Sequence, residues 1–273
     1  VQMSPENERR VRISPGSAQS VRISPEDETA QRAPLPRGRM VAAYSRNLRS
    51  TMAFSHVIFD LDGTILNTIE DLARACNHVC EQHGWPTFSI DSYRYKVGNG
   101  MLKLVERFMP AEYAGDERMF SQAFAEFRSY YDEHKEDHTA PYPGISTMLD
   151  ALREEGVTLA VLTNKDHAAA APLVQRYFGN RFSLVQGCTA AFPPKPAAPV
   201  TLHVLAQLGV KPSNVLYVGD SNVDVQTGHN AGLAVAGVTW GFRGRAELEA
   251  EGADFIAEQP EDVVNIVRGA CVH

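Results

Sequence analysis

The sequence predicts a doubly wound α/β core built on a parallel sheet, with an all-helical segment inserted after the first strand and a disordered tail ahead of it. Three observations lead there. Short, continuous apolar runs recur at residues 56–60 (HVIFD), 159–163 (LAVLT), 182–187 and 215–219 (VLYVG), each followed by turn residues and then a helical pattern. Apolar runs without polar alternation mark strands covered on both faces, and their alternation with helices implies parallel βαβ crossovers. Between residues 67 and 139 the alternation stops and only helical patterns remain, whereas the first 51 residues have a different composition altogether.

That opening stretch contains a ten-residue repeat, VQMSPENERR, VRISPGSAQS and VRISPEDETA, with Ser-Pro at 4–5, 14–15 and 24–25. It is rich in Arg, Ser and Pro and poor in large apolar residues, so residues 1–51 are expected to be disordered. Three origins compete: a targeting peptide, against which its acids and prolines weigh; a docking tail phosphorylated at Ser-Pro; and a reading frame opened too far upstream. The last is preferred, because Met52 is followed at once by the first strand. Residues 52–66 and 140–273 are then expected to form the core. Residues 67–139 are expected to form a cap with helices at 70–83, 90–97, 101–109 and 116–138, broken at Gly84-Trp85-Pro86 and Val97-Gly98-Asn99-Gly100. Pro141-Tyr142-Pro143-Gly144 returns the chain to the core, and weaker strands are expected at 234–238 and 255–256.

Composition narrows the function classes. No apolar run approaches the ~20 residues of a membrane span, and no signal-peptide pattern opens the chain. Residues 1–51 hold nine arginines and five acids, so the remainder carries more than the whole net charge of −7. An acidic folded part without a basic stripe argues against nucleic acid as a partner. Four irregularly spaced cysteines suit a reducing cytoplasm rather than a disulfide framework. Cys76 and Cys80, with His78 and His83 nearby, fit no zinc spacing and are expected to be core-facing residues of a helix.

The chemistry gathers at strand ends. The first strand ends in Asp60-Leu61-Asp62-Gly63-Thr64, the second in Thr163-Asn164, and the fourth in Gly219-Asp220-Ser221-Asn222-Val223-Asp224, while Lys195 lies between two prolines ahead of a helix. Each has a plain structural reading: a turn, a helix cap, a surface charge, a first-turn acid. Together they place acids, hydroxyl, amide and lysine at the carboxyl ends of one parallel sheet, where ligands of such sheets bind. Phosphoryl transfer would give them a common purpose. A carboxylate attacks a phosphate only if their charges are offset, which a hard divalent ion and a lysine can do, and a second carboxyl must move the protons.

Asp60-Leu61-Asp62-Gly63-Thr64, Thr163, Lys195 and Gly219-Asp220-Ser221-x-x-Asp224 resemble, in order, the four motifs of the haloacid dehalogenase superfamily. The resemblance covers nearly everything from Met52 onward and implies a Rossmann-like core under a helical cap. It implies Asp60 as nucleophile and Asp62 as general acid/base, with Thr163, the Asn164 backbone and Lys195 on the phosphate. It also implies Mg2+ at Asp60, Asp62 (through its carbonyl oxygen) and Asp220, with Asp224 either joining the metal site or orienting Lys195. Dehalogenases usually lack the second acid, so Asp62 points to a phosphatase.

Further stretches are similar to phosphoglycolate phosphatases: Pro141–Gly144 with Leu149 and Leu152, then 159–165 (LAVLTNK), 216–220 (LYVGD), 237–242 (GVTWGF) and the cap loop 97–100 (VGNG). Asn67 departs from the family's usual Asp. The resemblance implies a small phosphorylated metabolite as partner, most directly 2-phosphoglycolate, acted on by a monomer or homodimer. Substrate choice is expected from the cap loop Gly98, Asn99 and Gly100, with Arg94, Lys96 and Lys103 as possible holders of a carboxylate. Pyrophosphatases and hexose-phosphate phosphatases or mutases share the motifs. A signalling receiver domain, which also has a phosphorylated Asp, a Thr and a Lys, would lack both Asp62 and the helical insertion.

Overall fold

A computed structural model of the chain describes residues 53–270, and the repeat segment, Met52 and Cys271 lie outside them. In chain order, β1 (His56–Phe59) leads through the acidic turn to a two-residue strand, β2 (Leu66–Asn67). The helical insertion is next, with α1 (Ile69–His83), a 3-10 segment at Ile90–Tyr95, α2 (Met101–Phe108) and α3 (Glu117–His134). β3 (Ala140–Pro141) pairs antiparallel with β2, so the two crossings into and out of the insertion run side by side as a stem. Then come α4 (Ile145–Glu154), β4 (Thr158–Asp166), α5 (His167–Phe178), β5 (Leu184–Cys188) and α6 (Ala198–Leu208). β6 (Val215–Gly219), α7 (Asn222–Asn230), β7 (Ala234–Val238), α8 (Arg245–Ala250), β8 (Phe255–Ala257) and α9 (Pro260–Val267) complete the described chain.

Six strands form one parallel sheet in the order β5-β4-β1-β6-β7-β8. Successive side chains of a strand face opposite sides. In β1, Val57 and Phe59 join an apolar cluster with α4, α5 and α9, whereas Ile58 joins another with α6, α7 and α8. Both faces are covered, which is why the strand sequences are continuously apolar. Val57 lies opposite Leu159 on one side and Leu216 on the other, so the carboxyl ends of β4, β1 and β6 sit side by side.

The insertion has its own core, with Cys76 and Cys80 of α1, Leu104 and Phe108 of α2, and Phe127 and Tyr131 of α3. The two cysteines are packing residues, as the spacing suggested, and burial pushes the Cys80 thiol up to about 11. Local signals start and stop the helices: the Asp116 side chain accepts from the Met119 N–H at the head of α3, and Gly84 closes α1 at φ 67°. The buried Asp71 carboxylate ties α1 to the stem by accepting from the backbone N–H of His138 and Thr139 and from the Thr139 hydroxyl, at 2.7–3.1 Å.

Several boundaries differ from the sequence expectation. The helix expected at 90–97 is a 3-10 segment capped by Ser89. That expected to reach 138 stops at His134, which leaves the return chain free to build β3. β4 continues past Thr163 to Asp166, so Asp166 caps α5 and Asn164 lies inside a strand. The β2–β3 stem was not anticipated, because two-residue strands carry no periodicity. Among the described residues no helix is long and apolar enough to cross a membrane.

Candidate active site

Beyond β1 the chain turns sharply. Leu61 O accepts from the N–H groups of Ile65 and Leu66, and Gly63 N donates back to Leu66 O. Gly63 has φ 88°, and a Cβ there would lie 2.5 Å from Asp220 Oδ2. Gly241, in the loop after β7, meets Asp220 from another side, where a Cβ would lie 2.3 Å from that of Asp220. Two glycines therefore leave room for the Asp220 carboxylate against the turn that carries Asp60 and Asp62. Asp220 is fixed by Thr64 Oγ1 donating to Oδ1 (3.1 Å) and Phe242 N donating to Oδ2 (2.7 Å).

Lys195 enters from the loop between β5 and α6 and is buried. Its ammonium lies 2.9 Å from Asp60 Oδ1 and donates to Asp224 Oδ1 at 2.9 Å and to the Tyr217 hydroxyl at 3.0 Å. Asp224 Oδ1 also accepts from the Tyr217 hydroxyl, while Oδ2 accepts from Ser221 N and Oγ at 3.1 and 2.7 Å, the capping box of α7. Both Asp224 oxygens are thus occupied, Oδ1 by Lys195 and Tyr217 and Oδ2 by Ser221. The Asn164 side chain is committed as well: Oδ1 accepts from Lys195 N, and Nδ2 donates to Lys195 O and to Gly98 O. The side-chain amide, considered from sequence as a phosphate ligand, instead clamps the lysine loop and the cap loop to β4.

Asp62 takes no part in the hydrogen bonds of this cluster. Its carboxylate pairs with the Lys165 ammonium at 3.2 Å, and Lys165 also donates to the Tyr131 hydroxyl of α3 at 2.6 Å. Thr163 Oγ1 accepts from Lys165 N, which leaves the hydroxyl proton for another acceptor. Neither Lys165 nor Tyr131 was assigned a role from sequence. The signal for Lys165 was a third polar residue at the end of an apolar strand; for Tyr131 there was none, since its part depends on how the insertion lies over the sheet.

Crowded acids resist ionisation. Burial, then the charge of Asp224, push the Asp60 carboxyl up to about 7, although Lys195 pulls the other way. Burial and the charges of Asp224 and Asp60 raise the Asp220 carboxyl well above the usual carboxylate range. Burial opposes the Lys195 charge, but Asp224 and Asp60 outweigh it and hold the ammonium protonated. Asp60, Asp220 and Asp224 each present a buried carboxylate oxygen within 4.8 Å of the others, the one such group of metal-capable side chains among the described residues. Asp60 Oδ1 is buried with no hydrogen bond, since Lys195 lies off the bonding direction. A hard cation fits this donor set: Asp60 and Asp220 have lone pairs to offer, whereas those of Asp224 are taken.

A cavity of about 50 Å³ lies between the strand ends and the insertion, lined by Asp60, Asp62, Thr163 and Lys165 below and by Gly98, Gly100 and Leu104 above. Asn99 is not among its walls; its Oδ1 accepts from Arg107. Nor are the three cap cations expected near a substrate. Arg94 donates to Gly241 O and pairs with Asp91, Lys96 donates to Arg107 O, and Lys103 pairs with Glu106. Lys165 is the cation that lines the cavity. A larger cavity of about 560 Å³, between Met109, Tyr113 and Phe120 of the insertion, includes none of the motif residues.

Residues 57–238 match the family model of haloacid dehalogenase-like hydrolases. The phosphoglycolate phosphatase of Pseudomonas putida is 35% identical over 206 residues, covering 74% of this chain and 75% of that protein. That of Chromobacterium violaceum is 33% identical over 215 residues, covering 78% of this chain and 96% of the relative. The fold is similar to the crystal structure of a predicted phosphoglycolate phosphatase from Haemophilus somnus, with a TM-score of 0.74 and 28% identity over 79% of this chain and 99% of that one.

Proposed function

Because the chain belongs to the haloacid dehalogenase-like hydrolases, we propose that it is a phosphatase that moves the phosphoryl group of a small monoester, 2-phosphoglycolate, first to Asp60 and then to water. One observation carries the reading: the Asp60 carboxylate faces Lys195 at 2.9 Å, within 4.8 Å of Asp220 oxygen, with Asp62 two residues further on. A nucleophile, a buried cation, a metal-capable partner and a proton carrier meet at one strand end.

An Asp60 oxygen attacks phosphorus, and the bond from phosphorus to the ester oxygen breaks. Asp62 hands its proton to the departing alkoxide and becomes a carboxylate, for which Lys165 is the counter-ion. Asp62 then takes a proton from the water that attacks the aspartyl-phosphate, releasing inorganic phosphate and the Asp60 carboxylate. Lys195 and the Thr163 hydroxyl would stabilise the non-bridging oxygens, where negative charge is greatest during transfer. Asp60, Asp220 and the Asp62 carbonyl oxygen would hold Mg2+, which supplies the positive charge that lets a carboxylate approach a phosphate dianion. Asp224 serves as the anchor of Lys195. The similarity to phosphoglycolate phosphatases supports the choice of substrate.

Phosphate release with Mg2+ should be measured on 2-phosphoglycolate, pyrophosphate, hexose phosphates and nucleoside monophosphates. The reading expects the largest kcat/KM for 2-phosphoglycolate. Preference for pyrophosphate or a hexose phosphate would retain the chemistry and replace the substrate, whereas no release from any ester would remove both.

A further inference from the structure

We propose that Lys165, held by Tyr131, is the specificity-determining residue that receives the substrate's carboxylate, so that the enzyme selects phosphate esters bearing a second anion one carbon from the ester oxygen. This inference rests on the phosphatase reading above and adds a residue to it.

The cations expected from sequence do not line the cavity, as their partners show: Arg94 on Gly241 O, Lys96 on Arg107 O, Lys103 on Glu106. Lys195 lies against Asp60 and Asp224, where the phosphoryl group is transferred. Lys165 is therefore the cationic wall left to meet the rest of the substrate. An ammonium group has three N–H donors. The Tyr131 hydroxyl takes one, and the two Asp62 oxygens are met at 3.2 and 3.5 Å, so a ligand's acceptor would take over the longer of these contacts.

Position supplies the second step. Asp62 must reach the ester oxygen to protonate it, and Lys165 is 3.2 Å from Asp62. In 2-phosphoglycolate a single methylene joins that oxygen to the carboxylate, so an ammonium beside Asp62 is one group away from it. A larger alcohol would meet Leu104 and Gly98 on the far wall of the cavity, and a neutral one would give the buried ammonium no acceptor beyond Asp62 and Tyr131. Tyr131 is a positioning residue: it reaches down from α3 and keeps the flexible lysine over the cavity, its aromatic ring 4.9 Å from the ammonium.

The test compares 2-phosphoglycolate with ethyl phosphate, which keeps the carbon and ester oxygen but lacks the carboxylate. In Lys165→Met, kcat/KM for 2-phosphoglycolate should fall about 10- to 100-fold, mostly through KM, with a several-fold smaller loss on ethyl phosphate. Lys165→Gln should lose the same discrimination, while Lys165→Arg should keep most of it; these two decide the matter if the Met variant does not fold. Tyr131→Phe should raise KM for 2-phosphoglycolate more than for ethyl phosphate. Equal losses on both esters, seen in kcat, would mean that Lys165 serves only Asp62 and would overturn the inference while leaving the phosphatase reading intact. A wild-type enzyme inactive on both esters would overturn both.

Discussion

Lys195 has no water-facing side: Asp60, Asp224 and the Tyr217 hydroxyl all lie within 3.0 Å of its ammonium. Such a group is held by its counter-charges, and losing one of them misplaces it. In Asp224→Asn the amide keeps one acceptor oxygen and loses the charge, so Lys195 drifts and the Ser221 capping box weakens. About a 100-fold drop in kcat with a smaller change in KM is expected, since displacement by about 1 Å has that order of effect. A kcat left at the wild-type value would show that Asp224 does not orient the lysine. Asp60→Asn tests the proposed nucleophile. Steady-state phosphate release should fall at least about 10³-fold while the folded state persists, because an amide cannot form the acyl-phosphate. Near-normal turnover would end the covalent mechanism.

At the scale of elements, the strands and the acids at their ends were legible in the sequence for one reason. A strand buried on both faces must be apolar throughout, so polar residues at the end of such a run stand out. Asp60, Asp62, Thr163 and Asp220 were all found in that way. What escaped reading depends on how the insertion sits over the sheet. Tyr131 and Lys165 are 34 residues apart and meet only because α3 lies above the end of β4. Helical pattern alone does not say which face of the insertion looks down, so Arg94, Lys96 and Lys103 were equally eligible until their partners were known. The stem was also hidden, and Asp71 is its lock. Asp71→Ala would strand the N–H groups of His138 and Thr139 and the Thr139 hydroxyl. A loss of about 3 kcal/mol is expected from urea unfolding, with a raised KM because the insertion is less well placed. A shift below about 0.5 kcal/mol would show that β2–β3 pairing alone holds the stem.

Across the whole molecule, folding brings four carboxylates and two lysines into one small volume at the carboxyl end of the sheet, and the fold carries that charge as a stability cost. Asp60 makes the sign explicit. Its carboxyl ordinarily titrates at 3.8 and is raised to about 7 in the metal-free fold, by burial first and Asp224 second. Folding therefore takes up a proton between about pH 4 and 7, and the metal-free protein loses stability as pH rises through that window. The buried, raised Asp220 carboxyl acts in the same direction. A divalent cation held between Asp60 and Asp220 would take the place of those protons, so its affinity should climb with pH and level off once both carboxyls ionise freely. Binding at 100 times Kd adds about 2.7 kcal/mol to stability. Melting curves of the same protein at pH 5.5 and pH 8, with and without Mg2+, read this directly. A large rise in Tm on adding Mg2+ at pH 8 and a small one at pH 5.5 is expected, and Asp220→Asn should remove the difference. An equal rise at both pH values would mean that the cation binds away from these acids, and the charge of the cluster would then need another counterweight.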